Sequence, residues 1–174
     1  MKESVMLVNA NNKVVGTMDK LAAHRSGMLH RAFSVFIFNN AGELLLQQRA
    51  FEKYHSGGLW TNTCCSHPRL GEVTVDAAHR RLKEEMGMWC ELTELFQFTY
   101  RHEFENSLIE HEYDHVFMGV SNQLPEPDPS EVAGFKYVDT ELLALKLVEK
   151  PEDYTPWFKL CFDQVMENYQ HIKL

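Results

Sequence analysis

Between Asn62 and Met88 the chain gathers thiols, imidazoles, guanidinium groups and paired carboxylates. Cys65 and His67 stand two apart, so in extended backbone both side chains face one cavity. Cys64 precedes them; a buried structural thiol is the ordinary role of a lone cysteine. Arg80, Arg81, Glu84 and Glu85 lie on the polar side of a predicted helix, with Arg80–Glu84 and Arg81–Glu85 each four apart. Two readings are open. They form ion pairs on a solvated face, each worth ~0.2–0.5 kcal/mol, or a cation-binding carboxylate sits beside a phosphate-binding guanidinium.

Farther along, Glu110, Glu112 and Asp114 alternate with His111, Tyr113 and His115, so the carboxylates share one face of a predicted strand. Turned to solvent they are unremarkable. Turned inward, they repel unless something positive sits between them. His24 and His30 are six apart, a spacing that suits a loop bending back rather than one helix face. From residue types alone they are surface histidines or ligands. Arg49 and Lys53, at a strand end and in the next loop, can grip phosphate oxygens or be exposed charges. Lys20 reads as a solvated lysine and Trp157 as core packing.

The elements that must position these groups follow from periodicity. Ser4–Val8 and Val14–Met18 are expected strands around the Asn11-Asn12 turn. Asp19 caps a helical turn carrying Lys20, His24 and Arg25, which Ser26-Gly27 breaks. Strands are expected at Ala32–Phe38 and Leu44–Arg49, joined by Asn39-Asn40-Ala41-Gly42, then at Phe96–Arg101, Leu108–Val120 and Gly134–Val138. Val75, Ala78, Leu82 and Met86 form the apolar stripe of a helix capped by Thr74 or Asp76 and stopped at Gly87. Asp139 or Thr140 caps a short helix to Leu147, and Thr155-Pro156-Trp157 opens the last one.

A chain of 174 residues with 44% hydrophobic content predicts one domain over 1–174. No stretch approaches a membrane span, and Met1-Lys2-Glu3 opens no signal peptide, so a cytoplasmic protein is expected. Four cysteines without a C-x-x-C pair read as reduced thiols. The formal charge of −8 argues against nucleic acid and against an anionic membrane surface. It leaves room for a small anionic substrate where basic residues converge. Pro125–Pro129 reads as a rigid surface loop; no repeat or linker divides the chain.

The stretch from Ser66 to Met88 resembles the Nudix box, G-x5-E-x7-R-E-U-x-E-E-x-G-U, matching at Glu72, Arg80, Leu82, Glu84, Glu85, Gly87 and Met88. Ser66 replaces the first glycine, and Arg81 replaces a glutamate that helps hold metal in Nudix hydrolases. A guanidinium there removes a hard-cation ligand and adds an anion ligand. With these departures, Trp60–Pro68 (WTNTCCSHP), Tyr100-Arg101 and Glu110-His111-Glu112 resemble the type I isopentenyl-diphosphate isomerase branch over nearly the whole chain. Tyr54–Gly58 departs from that branch's usual wording.

The resemblance implies an α/β Nudix-like fold, a mixed sheet flanked by helices. It implies conversion of isopentenyl diphosphate to dimethylallyl diphosphate by a proton shift through a carbocation. Implied catalytic residues are Cys65, Glu112, Tyr100 and Trp157, and implied diphosphate contacts are Lys20, Arg49, Lys53 and Arg81. His24, His30, His67, Glu110 and Glu112 are the implied ligands of one Mn²⁺, Zn²⁺ or Fe²⁺. Glu85 is the implied contact of a Mg²⁺ carried with the diphosphate. A monomer or homodimer is expected. The alternatives are a Nudix pyrophosphohydrolase and a catalytically silent diphosphate sensor.

Overall fold

The computed structural model describes residues 3–173. Met1 and Lys2, in the expected leaderless opening, and Leu174 lie outside the described residues. Strands β1 (Ser4–Val8) and β2 (Val14–Asp19) form the expected hairpin, with Asn12 at φ 59° in its turn. Asp19 then caps α1 (Lys20–Ser26) by accepting from the Ala22 amide at 3.0 Å. Gly27, at φ 64°, closes the helix; a side chain there would meet Ile109 at 3.2 Å. This short helix is held so that His24 faces fully inward.

The central strand is β3 (His30–Phe38). β8 (Ile109–Val120) runs parallel to it from His30↔Glu112 to Phe38↔Val120. β7 (Thr93–Glu103) pairs antiparallel with β8, setting Tyr100 opposite Glu112. Directly paired residues share a sheet face. His30, Glu112 and Tyr100 therefore form one row across three strands. On the other side of β3, β6 (Cys64–Ser66) pairs antiparallel with Ser34 opposite Cys65. β4 (Leu44–Arg49) joins β5 (Trp60–Thr61) and β9 (Val132–Val138) at the far edge.

Two apolar layers cover the sheet, and the period of two in β3 divides its side chains between them. Val35 and Ile37 pack with Leu82 and Met86 of α2 (Thr74–Met86). Phe36 and Phe38 pack with Phe158 and Phe162 of α4 (Pro156–Lys173). α3 (Thr140–Glu149) and a short 3-10 turn at Pro151–Asp153 connect β9 to α4. The sheet is mixed and flanked by helices, as expected. Among the described residues no helix is long and apolar enough to cross a membrane.

Some boundaries differ from expectation for identifiable reasons. β3 starts at His30, β7 spans Thr93–Glu103 and β9 starts at Val132, because ladder bonds to neighbours extend pairing past the apolar runs. β8 starts at Ile109 rather than Leu108. Neither Thr74 nor Asp76 caps α2; Val73 occupies the cap position without a side-chain bond, and Thr74 is already inside the first turn. Asp139, not Thr140, caps α3, accepting from the amides of Glu141 and Leu142.

Candidate active site

Three imidazoles converge, two of them with their tautomers set by the backbone. His24 Nδ1 donates to the Lys20 carbonyl at 2.6 Å, and His30 Nδ1 donates to that of Met28 at 2.8 Å. Each therefore aims a bare Nε2 inward. Both Nε2 atoms, and His67 Nδ1, are buried without a hydrogen-bond partner. The donor atoms of His24, His30, His67 and Glu112 lie within 4.8 Å of one another. So do those of His24, His55 and Glu110. Buried lone pairs without a donor are costly, and backbone-fixed imidazoles beside carboxylates are the usual setting of a metal ligand. The residues fit a divalent cation, and the nitrogen-rich set suits Mn²⁺, Fe²⁺ or Zn²⁺ more than Mg²⁺.

Protonation of His24 and His67 agrees with this fit. Burial lowers His24, and burial takes His67 down to about 4, so both stay neutral and ready to ligate. Burial also disfavours charge on His30, but Glu112 outweighs it and raises that residue. Burial would raise Glu112; hydrogen bonds and charge from His30 and His67 hold it well below the usual carboxylate range. His67 Nε2 lies 2.8 Å from Glu112 Oε1. Tyr100 stands between the two glutamates, its hydroxyl 2.6 Å from Glu112 Oε2 and 2.9 Å from Glu110 Oε2. Burial, then the charges of Glu110 and Glu112, push that hydroxyl well up, so it keeps its proton.

Cys65, His67, Tyr100, Glu110, Glu112 and Trp157 line one cavity, and Lys20, Arg49, Lys53 and Arg81 line it too. The adjacent thiols separate by strand alternation. Cys64 is fully buried in the layer under α2, whereas Cys65 reaches the cavity. Burial pushes the Cys65 thiol far up, so it is a protonated thiol. All four cysteines are free.

The four cations are not equivalent. Lys20 pairs with Glu3 at 2.9 Å, and Lys53 pairs with Glu131. Arg81 contacts Glu85 at 2.7 Å, Glu84 at 2.8 Å and Glu131 at 3.3 Å. Among the described residues Arg49 pairs with no carboxylate. Its Nη2 donates to the His55 carbonyl at 3.3 Å, its Nε is unpartnered, and the guanidinium lies 5.2 Å from the Trp157 ring centre. Glu85 stands apart from the His/Glu groups, accepting from Arg81 and, at 3.0 Å, from Gln47. Arg80 is a structural clamp, bonded twice to Glu72 at 2.7 and 2.8 Å.

The sequence pattern of the NUDIX domain matches residues 28–158. An isopentenyl-diphosphate Delta-isomerase of Pectobacterium atrosepticum is 51% identical over 169 residues, covering 97% of this chain and 94% of that protein. Isopentenyl-diphosphate Delta-isomerase 2 of Aromatoleum aromaticum is 49% identical, covering 95% and 88%. The chain belongs to the Nudix superfamily and, within it, to the isopentenyl-diphosphate Delta-isomerases. The fold of the family is also seen in DR0079 of Deinococcus radiodurans, at TM-score 0.79 and 20% identity, covering 93% of this chain and 98% of that one. MutT protein of Methanosarcina mazei Go1 matches at TM-score 0.67 and 17% identity, covering 81% and 95%.

Every cavity residue implied by the resemblance reaches this region, but the ligand set divides. Glu110 groups with His24 and His55 rather than with His30 and His67. His55 is the residue that sequence reasoning missed. It lies in Tyr54–Gly58, the stretch where this isomerase departs from the family wording, and no motif flagged it. No sequence signal marked it, because its burial, at 6% exposed, arises only in the folded loop.

Proposed function

We propose that this chain interconverts isopentenyl diphosphate and dimethylallyl diphosphate, as a single domain over 1–174, using the cavity residues named above. The observation that carries the reading is the meeting, in one cavity, of the Cys65 thiol and the Tyr100–Glu112 pair. The shift adds a proton at one end of an alkene and removes another two carbons away. It needs two proton-handling groups with the hydrocarbon between them. Cys65 and Glu112 come from β6 and β8, on opposite sides of β3.

In one direction a proton is delivered from one of these groups and another is taken by its counterpart; the reverse reaction exchanges their roles. Both groups recover their starting protonation through solvent once product leaves. A bound divalent cation would supply positive charge that fixes Glu110 and Glu112 and tunes Glu112 and Tyr100. His24, His30, His67, Glu110 and Glu112 would hold it, and Mn²⁺ or Zn²⁺ is proposed. Trp157, 3% exposed, offers a π face beside the cavity, and cation–π attraction stabilises a desolvated carbocation by ~2 kcal/mol.

Arg49, Arg81, Lys53 and Lys20 would hold the diphosphate, and Glu85 would hold a Mg²⁺ that offsets its charge. The diphosphate oxygens compete with Glu84, Glu85 and Glu131 for Arg81 and with Glu131 for Lys53. Anchoring the diphosphate fixes the reacting carbons, because remote binding energy positions the reactive end. The reading places the chain in the cytoplasm, where thiols such as Cys65 stay reduced, as a monomer or homodimer. Incubation with isopentenyl diphosphate in D₂O tests it. Dimethylallyl diphosphate carrying deuterium, with no inorganic phosphate, is expected; phosphate release without isomer would replace this reading with pyrophosphate hydrolysis.

A further inference from the structure

His55 lies between β4 and β5 and is buried in the wall of the cavity. Its ring is stacked on Phe104 at 4.5 Å and stands edge-on to Tyr54 at 4.6 Å. Those contacts fix the ring plane. Nδ1 is turned toward Ser56 Oγ at 3.4 Å, so Nε2 is the nitrogen that faces inward. It lies 3.1 Å from Glu110 Oε1. The loop is anchored by Arg49, which donates to the His55 carbonyl, and by Ser56, held at φ 53° where few side chains sit.

Two donor groups therefore meet at His24: one with His30, His67 and Glu112, the other with His55 and Glu110. His24 Nδ1 is spent on the Lys20 carbonyl, so His24 has a single free nitrogen. One nitrogen lone pair cannot serve two ions. An ion bound to that nitrogen would lie beside both groups. We propose that His55 supplies a sixth donor, through Nε2, to the divalent centre held by His24, His30, His67, Glu110 and Glu112.

The consequence is chemical as well as geometric. Six protein donors close the coordination shell of the ion, leaving no position for water, and open positions are what metal-activated water chemistry requires. A closed centre suits an enzyme that must keep water from a carbocation. The inference rests on the isomerase reading only for that consequence; the ligand assignment stands on the donor geometry.

The test uses whole protein stripped of metal and reloaded with Co²⁺ alone. The wild type is compared with His55→Phe, which keeps the ring stack on Phe104, and with His79→Phe, a change on the far side of α2. The visible d–d absorption reports coordination number, and competition with a chelator reports affinity. The wild type and His79→Phe are expected to show the weak bands of six-coordinate Co²⁺. His55→Phe is expected to show the stronger bands of a five-coordinate ion, with affinity down about 10–100-fold. Circular dichroism and melting confirm that His55→Phe is folded; if it is not, the Mn²⁺-loaded wild type is crystallised and the distance from the ion to His55 Nε2 decides. Unchanged bands in His55→Phe, with or without weaker affinity, overturn the assignment. So does an ion beyond bonding distance of His55. Isomer formation is followed on the same samples. A wild type that isomerises while His55→Phe keeps six-coordinate bands removes only this inference, and a six-coordinate wild type that forms no isomer removes only the isomerase reading.

Discussion

The Tyr100 hydroxyl lies 2.6 Å from Glu112 Oε2, its paired neighbour across β7 and β8. Glu110 Oε2, 2.9 Å away, competes for the same hydroxyl. One O–H carries one proton, so it cannot satisfy two carboxylates at full strength. Tyr100 is thus a switchable donor whose proton is held high by burial and by both charges. Tyr100→Phe keeps the ring and removes the proton. Turnover should fall by ~10²–10⁴ while KM and metal content change little. Steady-state kinetics with elemental analysis checks this; a loss of metal equal to the loss of rate would make Tyr100 a scaffold only.

The adjacent thiols should separate cleanly. Cys65 faces the cavity and Cys64 faces the core under α2. Cys65→Ala is expected to abolish turnover while the substrate still binds. Cys64→Ala should keep most activity and lower stability by about 1 kcal/mol, as small core truncations do. Urea unfolding and product chromatography on both variants decide the matter. Equal loss of rate in the two would mean that packing explains the pair.

How far these roles could be read in advance depended on the range of the interaction. The apolar stripe of α2 and the Asp19 cap are local, and spacing states them. The parity of Glu110 and Glu112 was also legible, yet whether that face looked inward depends on pairing with β3 and β7. The commitment of Lys53 to Glu131 joins residues far apart in the chain, and no local pattern encodes it. His55 illustrates the same limit. A loop histidine carries no periodicity, and only the folded loop brings it to Glu110.

The metal-free protein should weaken in mild acid through His67. Its ordinary value is 6.5, and burial takes it to about 4 in the folded state. The unfolded chain therefore binds the extra proton, and stability rises with pH across that window. The contribution is present above pH 6.5 and is lost as pH falls toward 4. His30 is shifted the opposite way, so a difference measurement is needed. His67→Gln keeps a donor near Glu112 but cannot titrate. Melting temperatures of the two chelator-treated proteins should diverge between pH 6.5 and 4, with the wild type falling faster. Parallel curves would contradict the burial argument. Reloading with Mn²⁺ should raise the wild-type melt at pH 7, because a ligand that binds only the folded state stabilises it by mass action.

Arg80 and Arg81 are neighbours on α2 with different tasks, and this distinguishes isomerase from hydrolase. Arg80 holds Glu72 through two bonds and shapes the loop entering the helix. Arg81 lines the cavity where a hydrolase would keep a carboxylate, and it balances Glu85, Glu84 and Glu131. A hydrolase must collect metal ions around a pyrophosphate and direct water at phosphorus. On the proposed reading a guanidinium there does the reverse: it would bind the diphosphate intact and repel an additional cation. Arg81→Ala should weaken diphosphate binding by ~1.5–3 kcal/mol, the value of a charge-assisted hydrogen bond, with a smaller effect on kcat. Arg80→Ala should chiefly lower the melting temperature. Phosphorus NMR on the wild type and both variants, with nucleoside diphosphate sugars and dinucleotides as controls, should show no released phosphate in any of them. Arg81→Glu restores the carboxylate of the box. If that variant alone gained phosphate release, the single exchange at this position would mark the division between the two chemistries; release already present in the wild type would show that the guanidinium does not protect the diphosphate.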